Sequence, residues 1–167
     1  LLFFLLFSIY SFGQKSMPDV MIKSLDGQSV SIKKIFENKL TLISFWATWC
    51  GPCKVELDAL KSVYPSWQEK YGLQIVAITI DNPRQLSKVA PMIKAKGWPY
   101  LFFEDSVGNL KNKLNFQSIP QSYLVDRNGK VVWSNMGYAP GVELEIEKQI
   151  QKTNNNGSSY KNKTNII

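Results

Sequence analysis

The chain has 167 residues, 44% of them hydrophobic and 20% charged, so it is long enough for one globular domain and too apolar for a disordered protein. It contains no histidine and two cysteines, which excludes Ser-His-Asp and Cys-His catalysis, imidazole metal sites and an all-cysteine metal site within one chain. The net charge of +7 comes from scattered lysines with no nucleic-acid-binding motif. We therefore assign it to a solvated surface, with weak attraction to an anionic membrane as the alternative, and expect no nucleic-acid partner.

The sequence of residues 1–13 predicts a targeting segment. They begin LLFFLLF, and the apolar stretch of about a dozen residues has the length of a signal-peptide h-region, short of the ~20 residues that span a bilayer. The small residues Ser11 and Gly13 favour cleavage after Gly13. An uncleaved anchor and a buried N-terminal helix are the alternatives. We therefore expect an exported protein, in a compartment where disulfides form.

The sequence of residues 14–151 predicts a single domain in which strands and helices alternate. Turns at Asp26-Gly27 and Asn128-Gly129 mark two hairpins. Apolar runs and turn signals predict strands over 20–23, 29–32, 40–46, 73–80, 100–103, 122–126 and 131–134. Helical spacing predicts helices over 52–71, 83–96 and 143–151. This order indicates an α/β fold in which helices cover a mixed sheet.

Two local features qualify that pattern. Pro65 lies in the predicted helix 52–71 and should kink or split it, because proline removes one backbone hydrogen bond. Residues 152–167 read KTNNNGSSYKNKTNII, a polar low-complexity tail that we expect to be disordered.

The chemistry of the chain is concentrated between Trp49 and Cys53, in the sequence WCGPC. Two cysteines three residues apart, between a buried strand and a helix, are typical of a redox motif. Cys50 lies at the predicted helix N-terminus, where free N–H groups and the helix dipole stabilise a thiolate. Cys53 lies nearly one turn further along, within disulfide reach. Pro52 suits the first helical turn, and Gly51 leaves the sulfur open to a partner.

Three other interpretations of the cysteine pair are weaker. A structural disulfide across two residues would close almost no loop and would stabilise the fold little. A metal site lacks further ligands. An inert buried pair would not require Gly51 and Pro52 between its cysteines.

The motif and its surroundings resemble thioredoxins, and more closely the exported TlpA/ResA-type thioredoxin-like proteins. The shared pieces are Pro18-Asp19, the Asp26-Gly27 hairpin, the run FWATWCGPCK at 45–54, Glu56, and IPQSYLVD at 119–126. Over about residues 17–151, the resemblance implies a thioredoxin fold: a mixed central sheet flanked by helices, with an N-terminal β-hairpin extension. It also implies a periplasmic protein or one anchored in the membrane and facing the periplasm.

The resemblance assigns site residues beyond the two catalytic cysteines. It makes Pro120 a cis-proline facing them, and the backbone of Ile119 the part that pairs with the substrate chain. A plain strand-entry proline is the alternative. The substrate-binding surface is completed by Trp49, Gly51 and Pro52.

A third catalytic residue is implied at Glu56. It matches the acid that ResA-like proteins place near the cysteines, and it lies one helical turn from Cys53, where it would accept the thiol proton. A solvated helix residue is the alternative.

The sequence departs from the family pattern at two positions. Ser44 stands where cytosolic thioredoxins carry a buried aspartate, which leaves the base role to Glu56 or to water. Asp58 stands where the family usually has a proline. We expect Asp81, Asp105, Lys54 and Lys111 to be surface or turn residues.

The leading functional interpretation is a thiol–disulfide oxidoreductase that reduces protein disulfides through a mixed disulfide on Cys50. A peroxiredoxin-like peroxidase is the first alternative, although Ala47 and Cys50 occupy the positions where Thr-x-x-Cys would need threonine. A non-enzymatic metal-binding or assembly-binding module is the second. The resemblance implies no cofactor, no resident metal and disulfide-containing protein substrates, apocytochrome c among the possible clients. It also implies a membrane thiol donor of electrons, and we expect a monomer.

Overall fold

The computed structural model describes residues 15–161, with side chains through residue 155. The predicted signal segment at 1–13 and residues 162–167 of the predicted tail lie outside the described residues. Seven strands are present: β1 (Met21–Ser24), β2 (Ser29–Ser31), β3 (Thr41–Trp46), β4 (Gln74–Thr79), β5 (Leu101–Glu104), β6 (Gln121–Val125) and β7 (Val131–Met136). Five α-helices accompany them: α1 (Ile32–Phe36), α2 (Gly51–Tyr71), α3 (Val89–Lys96), α4 (Asn109–Leu114) and α5 (Val142–Lys161).

The strands form one mixed sheet in the order β2-β1-β5-β4-β3-β6-β7. The central strands β5, β4 and β3 are parallel, and the remaining pairs are antiparallel. Every residue of β3 and β4 is buried, as expected for strands covered on both faces. The predicted α/β architecture and the N-terminal β1–β2 hairpin are therefore confirmed.

Alternate side chains of β3 point into two separate cores. Leu42 and Trp46 pack with α2, α3 and α5, whereas Ile43 and Phe45 pack with α1, α4 and the N-terminal segment. Ser44 lies between Leu42 and Trp46 on the α2 side, because side chains alternate along a strand. This alternation places a hydroxyl in the apolar core beneath the cysteine motif.

Helix α2 runs from Gly51 to Tyr71 without interruption, so the expectation that Pro65 splits it is wrong. The buried side chains of Tyr64 and Trp67 hold the helix against the sheet on both sides of the proline. Helix α2 ends as predicted at Gly72, which takes the left-handed conformation (φ 62°) and donates its N–H to the carbonyl of Gln68.

The polar tail is helical over its first ten residues, so the expected disorder from Lys152 to Lys161 is wrong. Ile146 and Ile150 bury α5 in the core, and the helix then extends without a new nucleation cost, because each added residue forms one backbone hydrogen bond. Thr153 donates to the carbonyl of Gln149, and Arg127 donates to Asn154 Oδ1 at 3.0 Å. These contacts extend α5 beyond the predicted end at residue 151.

Shorter elements also differ from the prediction. Helices α1 and α4 were not predicted, because five or six residues carry too little periodicity. The helix predicted over 83–96 is a turn, a 3-10 segment (Leu86–Lys88) and then α3. Asp105 is a turn residue, as expected, since its carbonyl accepts the N–H of Gly108, but it is buried and not on the surface. Its carboxylate accepts the backbone N–H groups of Leu110 and Lys111 at the start of α4.

Asp58 ties α2 to the segment before β5. Its Oδ1 accepts Trp98 Nε1 at 2.8 Å, and its Oδ2 accepts Lys96 Nζ at 2.6 Å. Trp98 is buried, and its ring packs edge-on against Trp46 of β3. A carboxylate therefore replaces the family's usual proline with a cross-link that fixes α2 over the sheet.

We predict that Asp58→Ala lowers the free energy of unfolding by about 1–3 kcal/mol, because it leaves the buried Trp98 Nε1 without its acceptor. Urea denaturation followed by tryptophan fluorescence measures this loss. Glu69→Ala, which removes an exposed carboxylate from the same helix, should change stability by less than about 0.5 kcal/mol. Equal effects of the two substitutions would contradict the cross-link.

Candidate active site

The two cysteines lie where the chain passes from β3 into α2. Cys50 is the N-cap of α2, and its Sγ accepts the backbone N–H of Cys53 at 3.2 Å. The two sulfurs form a disulfide, with the Cα atoms 5.4 Å apart. Cys50 is 5% exposed and Cys53 is fully buried. Cys50 is therefore the more accessible of the two sulfurs, and a backbone N–H of the first helical turn points at it.

The residues predicted to bind substrate lie together near the C-terminal end of β3. Trp49 is 58% exposed, and Gly51 and Pro52 are also exposed. Strand β6 pairs with β3, with Gln121 opposite Phe45, so the segment before β6 ends beside the cysteine loop. The Ile119–Pro120 peptide bond in that segment is cis, as the resemblance implies. Ile119 is half-buried and Pro120 is buried.

Asp81 holds the loop that precedes Cys50. Its carboxylate is fully buried and accepts three hydrogen bonds: Thr48 N at 2.8 Å, Thr48 Oγ1 at 2.7 Å and Thr79 Oγ1 at 2.6 Å. On the other side of the loop, Lys54 Nζ donates to the carbonyl of Thr48 at 3.1 Å. The expectation that Asp81 is a surface or turn residue is therefore wrong.

Glu56 is fully buried, so the alternative of a solvated helix residue is wrong. It lies one turn along α2 from Cys53 and faces the sheet. Ser44 Oγ donates to Oε2 at 3.0 Å, and Ser122 Oγ donates to Oε1 at 3.1 Å. Burial raises the pKa of Glu56 to about 6, against the smaller opposing effect of the two serine hydroxyls. The carboxyl can therefore take or release a proton close to neutral pH.

Sequence reasoning missed Ser122, Thr48 and Asp81, and it treated Ser44 only as a missing base. Each missed residue left a signal. Ser44 and Ser122 are polar residues at inward positions of buried strands. Trp46 pairs with Thr79 at the ends of parallel strands, so residues just beyond those ends, Thr48 and Asp81, meet at one edge.

Within residues 15–161, no helix is long and apolar enough to cross a bilayer. In the same part of the chain, no three Cys, Asp or Glu side chains converge in a way that would hold a metal ion.

Comparison with known proteins places the chain in a family. The model of the AhpC/TSA family matches residues 14–134. The chain belongs to the AhpC/TSA family. The thiol-disulfide oxidoreductase ResA of Bacillus anthracis is 28% identical over 131 residues, which cover 78% of this chain and 73% of ResA. Sporulation thiol-disulfide oxidoreductase A of Bacillus subtilis (strain 168) is 29% identical over 134 residues, 79% of each chain.

A solved structure agrees with the fold of this AhpC/TSA-family protein. The solution structure of an uncharacterized thioredoxin-like protein from Porphyromonas gingivalis matches with a TM-score of 0.75 and 37% identity, covering 84% of this chain and 93% of that one. The thioredoxin fold and the ResA-type resemblance are therefore confirmed, and the protein is a thioredoxin-like thiol–disulfide oxidoreductase.

We predict a pH-dependent gain in stability for oxidised Glu56→Gln. The folded-state pKa of about 6 lies above the ordinary value of 4.5, so the native state binds the Glu56 proton more tightly than the unfolded chain does. Below pH 4.5 the carboxyl is protonated in both states. As the pH rises through 6, the wild type loses about 2 kcal/mol relative to the variant.

Urea denaturation of the two oxidised proteins at intervals between pH 4 and 7.5 measures this difference. Glu69→Gln, at an exposed position of α2, should track the wild type at every pH. A difference between Glu56→Gln and the wild type that stays constant with pH would contradict the raised pKa.

Proposed function

We propose that this protein reduces disulfides in other exported proteins through the Cys50–Cys53 pair. The observation that carries the proposal is the asymmetry of the pair: Cys50 caps α2 and is the only one of the two with exposed surface. Exposed Trp49 and the half-buried Ile119 flank it. A disulfide in an extended segment of a partner protein can therefore approach Cys50, while Cys53 is shielded from solvent.

In the first step, the Cys50 thiolate attacks one sulfur of the partner disulfide. A bond forms between the two proteins, the partner S–S bond breaks, and its second sulfur leaves as a thiolate that takes a proton from water. The N–H of Cys53 and the N-terminus of α2 stabilise the attacking thiolate. The backbone next to cis-Pro120 pairs with the partner chain and aligns its sulfur.

In the second step, Cys53 loses its proton and attacks Cys50 Sγ. The Cys50–Cys53 disulfide forms, the mixed disulfide breaks, and the partner leaves with both sulfurs reduced. Two electrons have then passed from the dithiol to the partner. We assign Glu56 as the acceptor of the Cys53 proton, because the carboxyl is buried one turn away and its pKa of about 6 suits proton exchange. A buried thiol does not otherwise ionise readily.

A peroxidase is less well supported. No threonine stands three residues before either cysteine. Thr48, the threonine next to the motif, has its hydroxyl bonded to Asp81 at 2.7 Å. The Gly-Pro pair between the cysteines is that of reducing thioredoxins, which favours transfer of electrons to protein disulfides.

The proposal includes an exported location, periplasmic or membrane-anchored and facing the periplasm. Its support is the apolar segment 1–13 and the use of a dithiol–disulfide couple. The substrates are disulfide-containing proteins, with apocytochrome c one possible client. A membrane thiol protein would return electrons to Cys50 and Cys53, and the enzyme would act as a monomer without a cofactor.

We predict that Cys50→Ser abolishes reduction of insulin disulfides, whereas Cys53→Ser accumulates mixed disulfides. In the first variant the accessible nucleophile is missing, and in the second the mixed disulfide has no resolving thiol. Turbidity of reduced insulin measures the activity, and non-reducing electrophoresis detects the adducts.

Alkylation of the reduced wild type provides an independent measurement of the two roles. Cys50 should react first with iodoacetamide near neutral pH. Faster alkylation of Cys53, or insulin reduction by Cys50→Ser, would contradict the assignment.

A further inference from the structure

Ser44 and Ser122 form a matched pair on the sheet under Glu56. They are directly opposite each other in the β3–β6 ladder. Both are buried, with exposures of 0% and 1%, and each donates to a different oxygen of the same carboxylate. Helix α2 supplies the carboxylate and two strands supply one hydroxyl each. Three segments that are far apart in sequence therefore form one cluster of polar side chains inside an apolar core.

Among the described residues, the neighbouring positions of the same row add no further hydrogen bond to the carboxylate. Next to Ser44 lies Ala77 of β4, and next to Ser122 lies Asn135 of β7, whose side chain donates to the carbonyl of Gly137. Leu42, Trp46 and Leu124 line the adjacent positions on this face. Among the described residues, the hydrogen bonds to Glu56 come from these two serines alone.

A hydroxyl suits a group that changes its charge. When Glu56 is ionised, both hydroxyls donate to it. When Glu56 carries a proton, one hydroxyl can rotate and accept that proton as a hydrogen bond, because serine both donates and accepts. Neither state then leaves a buried polar atom unpaired, which would cost about 1–3 kcal/mol. An amide or a lysine in the same place would match only one of the two states.

We propose that Ser44 and Ser122 are positioning residues of the reaction: they hold the Glu56 carboxyl beside Cys53 and satisfy it both before and after it takes the thiol proton. This inference rests on the proposed function of Glu56 and extends it to two residues on other elements. Ser122 is also two residues from Pro120, so the strand that follows the substrate-binding segment carries one of the two hydroxyls.

Other titratable groups lie on the elements around this pair. Among them are Cys53, Asp58 and Tyr64 on α2, Tyr100 before β5 and Glu143 at the start of α5. Tyr100 donates to the carbonyl of Leu57 at 2.7 Å, and Asp58 bonds Lys96 and Trp98. The described ion pairs are Lys23–Glu104 and Lys96–Asp58, so neither partners Glu56. The serines are therefore the contacts whose removal should act directly on the carboxyl.

The direct test is a carboxyl NMR titration of Glu56 in the oxidised full-length protein labelled with 13C-glutamate. The disulfide removes the Cys53 thiol, so the Glu56 transition is not coupled to it. Removing one donor destabilises the ionised carboxylate more than the protonated carboxyl, so Ser44→Ala and Ser122→Ala should each raise the midpoint by about one pH unit. Ser122→Thr, which keeps the hydroxyl, should restore the wild-type midpoint.

Thr41→Val is the matched control. It removes another buried hydroxyl of β3, one that bonds Lys39 and Gln74 and lies on the opposite side of the strand. Its midpoint should equal that of the wild type. Midpoints within about 0.3 pH units of the wild type in both alanine variants would overturn the proposal.

A kinetic measurement tests the link to the reaction. The pH midpoint for resolution of the mixed disulfide should move upward with the NMR midpoint in each alanine variant. An NMR shift without a kinetic shift would also overturn the proposal. Because the NMR titration requires no turnover, it distinguishes a failure of the serine pair from a failure of the proposed reductase function.

Discussion

A carboxyl group buried beneath the cysteine pair is the constraint on which the rest of the site depends. Burying an ionisable group without partners is costly, and Glu56 is fully buried with no ion pair to any described residue. The fold meets this cost with hydroxyls from two adjacent strands, and the register of β3 against β6 brings them together. Helix α2 must therefore pack against the sheet in one position and one orientation, and the Asp58–Trp98 hydrogen bond helps to fix both.

Two buried acids next to the motif have different surroundings. Asp81 accepts three hydrogen bonds, two of them from Thr48, and it anchors the loop that leads into Cys50. Glu56 accepts two from rotatable hydroxyls, and burial raises its pKa to about 6. The first arrangement holds a loop in place, whereas the second leaves a carboxyl able to exchange a proton. Rigid support of the accessible cysteine is thus separated from the proton transfer that we propose at the buried one.

The sequence predicted what depends on local pattern. The strand–turn–helix context of the cysteines, the end of α2 at Gly72 and both hairpins follow from short-range signals. The family resemblance added the cis bond at Pro120 and pointed to Glu56. Pairings across the sheet were not predictable, because nothing near Ser44 indicates that Ser122 will lie opposite it. Asp81 was wrongly expected to be a surface or turn residue for the same reason, since its partner Thr48 is 33 residues away.

The secondary-structure errors have a similar origin. Composition alone made residues 152–161 look disordered, but Ile146 and Ile150 pack α5 onto the core and the helix continues past them. Pro65 carries a real local cost, which the packing of Tyr64 and Trp67 outweighs. In each case tertiary contacts overrode a local preference.

The role of Glu56 as proton acceptor is tested most directly by the kinetics of mixed-disulfide resolution in the wild type and in Glu56→Gln. Mixing the reduced protein with a nitrothiobenzoate disulfide releases one coloured thiolate when Cys50 attacks and a second when Cys53 resolves the adduct, so stopped-flow absorbance separates the two steps. Between pH 5 and 9, Glu56→Gln should leave the first phase unchanged. It should slow the second by about tenfold or more and remove one ionisation from its pH profile. Equal second-phase rates across that range would contradict the account and assign the deprotonation of Cys53 to water.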